Sequence, residues 1–193
     1  MIELKDVSFS YAEDPVLCGL SLYFQSPGAY AVWGPSGCGK TTLMLLLAGL
    51  LKPTRGDVTR KQGLRTAICF QEDRLMPWLT VLDNVSLTLP AEKKRERRAL
   101  GMQWLARVGL ADAADCYPSE LSGGMKRRVA LARALAYNGD ILLLDEPFRA
   151  LDEALHAQML ALVRDHAREK LLILVTHDPE DAQGMQRIDL KTV

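Results

Sequence analysis

The sequence predicts an α/β fold from three observations: short apolar β-type runs recur along the chain, helix-length apolar patterns separate them, and a glycine-rich loop joins one such strand to one such helix. At 193 residues, 48% of them hydrophobic and 25% charged, the chain can bury one substantial core and is short for two independent domains. A single domain over 1–193 is expected. β-type runs cover 2–11, 20–24 and 29–33, a helix pattern follows over 41–51, and a further β-run covers 66–70. The character then changes, with Pro77 and Pro90 as punctuation, a charged stretch over 92–98, and helical patterns over 99–108 and 126–136. Residues 72–136 therefore read as a helical subdomain inserted into an α/β core made of 1–71 and 137–193. Strand patterns return at 141–144 and 171–175, separated by a helix-length segment over 153–169 with Leu155, Met159, Leu160 and Val163 on one face. That order fits a parallel sheet wrapped by helices.

The glycine-rich loop is specific. Gly34-Pro35-Ser36-Gly37-Cys38-Gly39-Lys40-Thr41-Thr42 is a complete G-x-x-x-x-G-K-[ST] phosphate-binding loop, which predicts binding of ATP or GTP. Backbone N–H groups must converge on an anion, and glycine tolerates the turn and the close approach that this demands. Lys40 adds a point charge for the β- and γ-phosphates, Thr41 offers a hydroxyl to Mg²⁺, and the following helix points its N-terminus at the phosphates. A glycine-rich turn before a buried helix would share the spacing, but it has no need for Gly-Lys-Thr in that order.

A second motif, Ile141 through Pro147, is an apolar run that ends in two acids. By itself it reads equally as an ordinary strand and solvated turn; beside a phosphate loop, Asp145 is placed to support Mg²⁺ and Glu146 to orient or deprotonate the attacking water. In the third motif, Leu121-Ser122-Gly123-Gly124-Met125, a serine and two glycines open a helix and expose N–H groups and a hydroxyl to an anion. Alone it reads better as a capped helix with Lys126 to Arg128 solvated. One chain would then hold two phosphate-binding elements for one site, which a head-to-tail dimer resolves by bringing Ser122 of one subunit to the γ-phosphate held by Lys40 of the other.

Lys plus Arg and Asp plus Glu balance at 24 each, so no global field favours nucleic acid or a membrane surface. Cys18, Cys38, Cys69 and Cys116 are scattered without a C-x-x-C pair and no signal-peptide pattern opens the sequence, so a reduced, cytoplasmic setting is expected. The longest apolar run, 43–51, falls well short of the roughly 20 residues that cross a bilayer.

With these motifs in order the chain resembles the nucleotide-binding subunits of ABC transporters, from residue 2 to about 189. The resemblance implies a P-loop NTPase core with an N-terminal antiparallel β region, and a dimer around two ATP·Mg²⁺ complexes. It makes Tyr11 the aromatic that stacks on adenine, Gln71 the Q-loop residue at Mg²⁺ and the attacking water, Ala150-Leu151-Asp152 the D-loop, and His177 the switch histidine at the γ-phosphate. Lys40, Gln71, Glu146 and His177 are then the expected catalytic set and Thr41, Gln71 and Asp145 the metal set. The stretch 70–85, Met125 and Glu-Pro-Phe before the D-loop look like the nitrate, sulfonate and taurine importer branch. Leu75, Met76, Pro77 and Trp78 fall where this family docks the coupling helix of its membrane partner; the alternative is a local core.

Transmembrane permease subunits, a second copy of the ATPase and an extracytoplasmic solute-binding protein are the implied partners, at the cytoplasmic face of the membrane. Nucleic acid is not an expected partner. The competing readings are a soluble ABC-type ATPase acting on nucleic acid or ribosomes, and an exporter ATPase. Two residues depart from the family pattern: Met125 replaces the common signature glutamine, and Arg149 stands where the D-loop often has a small residue. Because the sequence ends at Val193, a C-terminal regulatory domain is not expected.

Overall fold

A computed structural model of the protein describes residues 1–89 and 94–191. Pro90, Glu92, Lys93 and Val193 lie outside the described residues. The chain divides into two compact units, one formed by Met1–Ile68, Asp140–Glu146 and Ala167–Val193, the other by Cys69–Gly139 and Pro147–His166.

The first unit holds two sheets. In the antiparallel one, β1 (Ile2–Tyr11) lies between β2 (Asp14–Phe24) and β4 (Arg55–Arg60). The other has the order β5-β6-β7-β3-β8, built from β3 (Gly28–Trp33), β5 (Thr66–Cys69), β6 (Ile141–Asp145), β7 (Leu171–Val175) and β8 (Gln186–Asp189). Its pairs β6–β7, β7–β3 and β3–β8 run parallel. All five residues of β6 and all five of β7 are buried. This is why both read as unbroken apolar runs: central parallel strands are covered on both faces and show no alternation.

Helix α1 (Lys40–Ala48) buries Leu43, Met44, Leu46 and Leu47 in the same cluster as Ile2, Leu4, Val7, Phe24, Val32, Ile141, Leu143, Ile173 and Val175. Each such side chain contributes roughly 1.5–3 kcal/mol by leaving water, so the helix is held mainly by its apolar contacts. It stops at Ala48 rather than continuing through Leu51. Gly49 adopts the left-handed conformation at φ 75° and its N–H reaches the carbonyls of Leu45 and Leu46, closing the helix end.

The second unit contains α2 (Val81–Ser86), α3 (Lys94–Arg107), α4 (Gly123–Ala136) and α5 (Glu153–His166). Helices α2, α3 and α4 pack on one another, burying Leu82, Val85, Leu105, Val129 and Leu135. Helix α5 and the D-loop residues before it cluster with this unit, whereas the sequence places them in the core.

Strands β2, β4 and β8 and helix α2 also depart from the sequence reading. Strands β4 and β8 were not expected, because Arg55–Arg60 and Gln186–Asp189 each carry a single apolar residue, Val58 and Ile188, and lie at sheet edges where one face needs little covering. β2 starts six residues before the predicted run, its first half largely exposed and paired to β1 through irregular register. Helix α2 is too short for its period to stand out, and is defined instead by the Thr80 cap, whose Oγ1 accepts from Asp83 N at 3.1 Å.

Candidate functional site

The loop between β3 and α1 supplies the first part of the site. Gly34 and Gly39 are sterically required: a Cβ at Gly34 would lie 2.5 Å from Cys38 Sγ and 2.7 Å from Leu190 O, and at Gly39 would lie 2.8 Å from Leu17 and 2.9 Å from Val16. Gly37 has open space around it and needs glycine for its φ of +81°. Gly39 caps α1 without a side chain, so the first-turn N–H groups meet no capping hydroxyl or carboxylate. Lys40 Nζ donates to the carbonyls of Gly34 and Pro35 at 2.8 and 2.9 Å, which holds the ammonium against the loop. Beside Lys40 and a helix N-terminus, Cys38 is expected from sequence to carry a reactive thiolate that a maleimide would reach, and the structure corrects this. Cys38 is 1% exposed and belongs to the apolar core, so this residue offers the site its backbone and not its sulfur.

Thr41 Oγ1 donates to Asp145 Oδ2 at 2.8 Å, linking the first turn of α1 to the last residue of β6. Asp145 is buried. Glu146, the next residue, has φ +46°, a conformation costly for a non-glycine residue, and its N–H donates to Val175 O at 3.0 Å. That backbone turn brings Oε1 to 3.1 Å from His177 Nε2. The segment after β7 is pinned in turn: Thr176 Oγ1 donates to Asp181 Oδ2 and accepts from Asp178 N, with Thr176 and Asp181 both buried. Lys40, Thr41, Asp145, Glu146 and His177 are thus brought together in one unit. Tyr11 is half-exposed at the end of β1, its ring edge-on to Phe9 at 4.8 Å, with surface free for stacking.

The remaining predicted residues lie in the second unit. Ser122 is the exposed N-cap of α4 and its Oγ accepts from Met125 N at 3.3 Å; Gly123 and Gly124 form the first turn. A Cβ at Gly124 would sit 3.0 Å from Ala150 O, so the glycine allows the D-loop to pass close to the signature segment Leu121-Ser122-Gly123-Gly124. Asp152 Oδ1 accepts from Leu155 N at 2.9 Å, capping the start of α5. Gln71 is exposed, two residues past the end of β5.

Sequence reasoning missed the arginines behind Gln71. Arg127, read as solvated in the capped-helix alternative, is 4% exposed and bonded to the backbone around Gln71. Burial lowers the Arg133 pKa, opposed by Cys69 and Asp73, while Arg128 is lowered by burial and raised by Asp152. Nothing in the local pattern separates these side chains from surface cations, because their carbonyl partners are distant in sequence.

A family model described as ABC transporter matches residues 17–149. The chain belongs to the ABC transporter family. Aliphatic sulfonates import ATP-binding protein SsuB 1 of Paraburkholderia xenovorans is 43% identical over 190 residues, 95% of this chain and 55% of that protein. Its counterpart in Agrobacterium fabrum is 45% identical over 186 residues, covering 94% and 67%, and taurine import ATP-binding protein TauB of Escherichia coli O157:H7 is 40% identical over 195, covering 96% and 76%. The chain thus spans little more than half of the first of these relatives. The solved dimer of the ATP-binding cassette MJ0796 bound to ADP and Pi, in a post-hydrolysis state, superposes with a TM-score of 0.91 at 32% identity, covering 98% of this chain and 94% of that one. Among the described residues of this ABC-family chain, no helix is long and apolar enough to cross a membrane.

Proposed function

We propose that this chain is the ATP-binding subunit of an ABC importer, hydrolysing ATP in a head-to-tail dimer to drive uptake of a small anionic or organic solute of the sulfonate and taurine class. The observation that carries the reading is the continuous link from Thr41 through Asp145 and Glu146 to His177 beside the phosphate loop. Backbone N–H groups of the loop from Gly34 to Thr42, Pro35 excepted, cradle the phosphates, and Lys40 exchanges its loop carbonyls for the β- and γ-oxygens. Thr41 and Asp145 present two hard oxygen ligands suited to Mg²⁺, which when bound neutralises phosphate charge. Glu146 accepts the proton of the attacking water, and the adjacent His177 imidazole orients that carboxylate and contacts the γ-phosphate. Gln71 would help hold the metal and the attacking water, Tyr11 would stack on adenine, and Ser122, Gly123 and Gly124 of the second copy would close over the γ-phosphate.

The names of the sulfonate and taurine relatives support import; a cytoplasmic, membrane-associated location through permease subunits, with a solute-binding protein outside, rests on the family reading. The test combines turnover and assembly. The purified chain should hydrolyse MgATP; Glu146→Gln should bind ATP and run as a dimer on size exclusion, while Lys40→Ala should lose binding and dimer together. A Glu146→Gln protein that is monomeric with ATP bound and hydrolyses at the wild-type rate would overturn both the base assignment and the composite site.

A further inference from the structure

We propose that Arg127 is a positioning residue for Gln71: its guanidinium ties the segment carrying Gln71 to the helix carrying Ser122, so that the two elements move as one body. The proposal rests on the ATPase reading above for the role of Gln71. Arg127 lies one turn into α4, five residues after Ser122, and is 4% exposed. Its Nη1 donates to the carbonyls of Phe70 and, at 3.3 Å, Gln71, and meets Asp73 Oδ1 at 3.3 Å; its Nε donates to Pro147 O at 3.2 Å, the residue directly after Glu146. Further along the same helix, Arg133 donates to Arg74 O at 2.8 Å and Asp73 O at 2.9 Å. Four carbonyls of the segment from Phe70 to Arg74 therefore accept from α4. The path is not a relaxed one: Arg74 has φ +46°, and its guanidinium covers the Phe70 ring at 3.9 Å.

A backbone that leaves a strand without entering a helix must find partners for its carbonyls elsewhere. Two arginines of α4 provide them, and only a planar fork can span Phe70, Gln71 and Pro147 at once. Taking a guanidinium out of water is costly, and an apolar side chain at position 127 would fill the space without that cost. What the guanidinium adds is a fixed position for Gln71 relative to the signature. Lysine keeps the charge and loses the fork.

The test uses steady-state hydrolysis by the full chain together with hydrogen exchange. Arg127→Lys should lower kcat about 10-fold while KM for MgATP stays within about twofold, as expected for misplacement of a group rather than loss of ground-state binding. In a Gln71→Ala background the same substitution should produce no further drop, since both changes remove one function. Amides of residues 71–74 should exchange at least about 10-fold faster in Arg127→Lys with those of α5 unchanged. Arg127→Met should show the same effects more strongly, and Arg127→Lys decides the matter if that variant does not fold. Wild-type kcat in Arg127→Lys, multiplicative effects with Gln71→Ala, or unaltered exchange at 71–74 would overturn the proposal. A wild-type chain without ATPase activity would refute the functional reading alone, and exchange would still judge the tether.

Discussion

Glu146 carries backbone strain at the position proposed for the general base. Its left-handed backbone, at φ +46°, is held by the N–H bond to Val175 O, and the turn aims the carboxylate at His177. Glu146→Gln retains the shape and removes the basic oxygen, so hydrolysis should fall by roughly 10²–10⁴-fold with little change in ATP affinity. Single-turnover kinetics with an equilibrium nucleotide-binding measurement checks the separation. At Cys38 the expected behaviour is unreactivity. A thiol 1% exposed within the core meets no reagent in the native state, whereas Cys18 is exposed. Maleimide labelling followed by peptide mapping should therefore find Cys18 modified in native protein and Cys38 only after denaturation, with or without MgATP.

Among the elements, α2 depends on one buried amide. Asn84, 0% exposed, accepts from Met76 N at 2.8 Å and donates to Met76 O and Leu79 O at 3.1 Å and to Thr80 O at 3.0 Å. Those bonds shape the loop before the helix and leave Trp78, 70% exposed, at its tip. Asn84→Leu would strand a donor and several acceptors away from water, which costs about 1–3 kcal/mol per unsatisfied group. Urea denaturation should show a loss of at least about 2 kcal/mol. Nearby, Thr80→Ala removes only the cap bond to Asp83 N and should cost about 1 kcal/mol. Equal losses in the two variants would mean that the amide network does not hold the loop.

At the scale of the whole molecule, Trp78 is exposed with Met76 and Leu75 partly buried beside it, which supports the proposed docking of a membrane partner over a closed core of the second unit. Trp78→Ala should leave ATP hydrolysis by the purified chain within about twofold, while a truncated interface anchor commonly costs about 2 kcal/mol or more of binding. Co-sedimentation with membranes containing the permease measures recruitment, and unchanged recruitment would remove this loop from the docking surface. The same apolar cluster could not be assigned from sequence, where a docking surface and a local core have the same composition; the exposure of Trp78 favours docking.

By itself the sequence determined the phosphate loop, the Asp145 and Glu146 pair, the serine-capped glycines and the buried strands β6 and β7. Each follows from a local demand: close backbone approach at Gly34 and Gly39, a capping hydroxyl at Ser122, and apolar runs where both faces of a strand are covered. Tertiary structure alone decided the polar edge strands β4 and β8, which exist because β1 and β3 offer them hydrogen-bond partners. It also decided the inward turn of Cys38 and the burial of Arg127 beneath Gln71. The physical reason is the same in each case. A side chain's local spacing records its own backbone geometry, whereas an edge strand's partner, a thiol's surroundings and an arginine's carbonyls are supplied by residues far along the chain and come into being only when it folds.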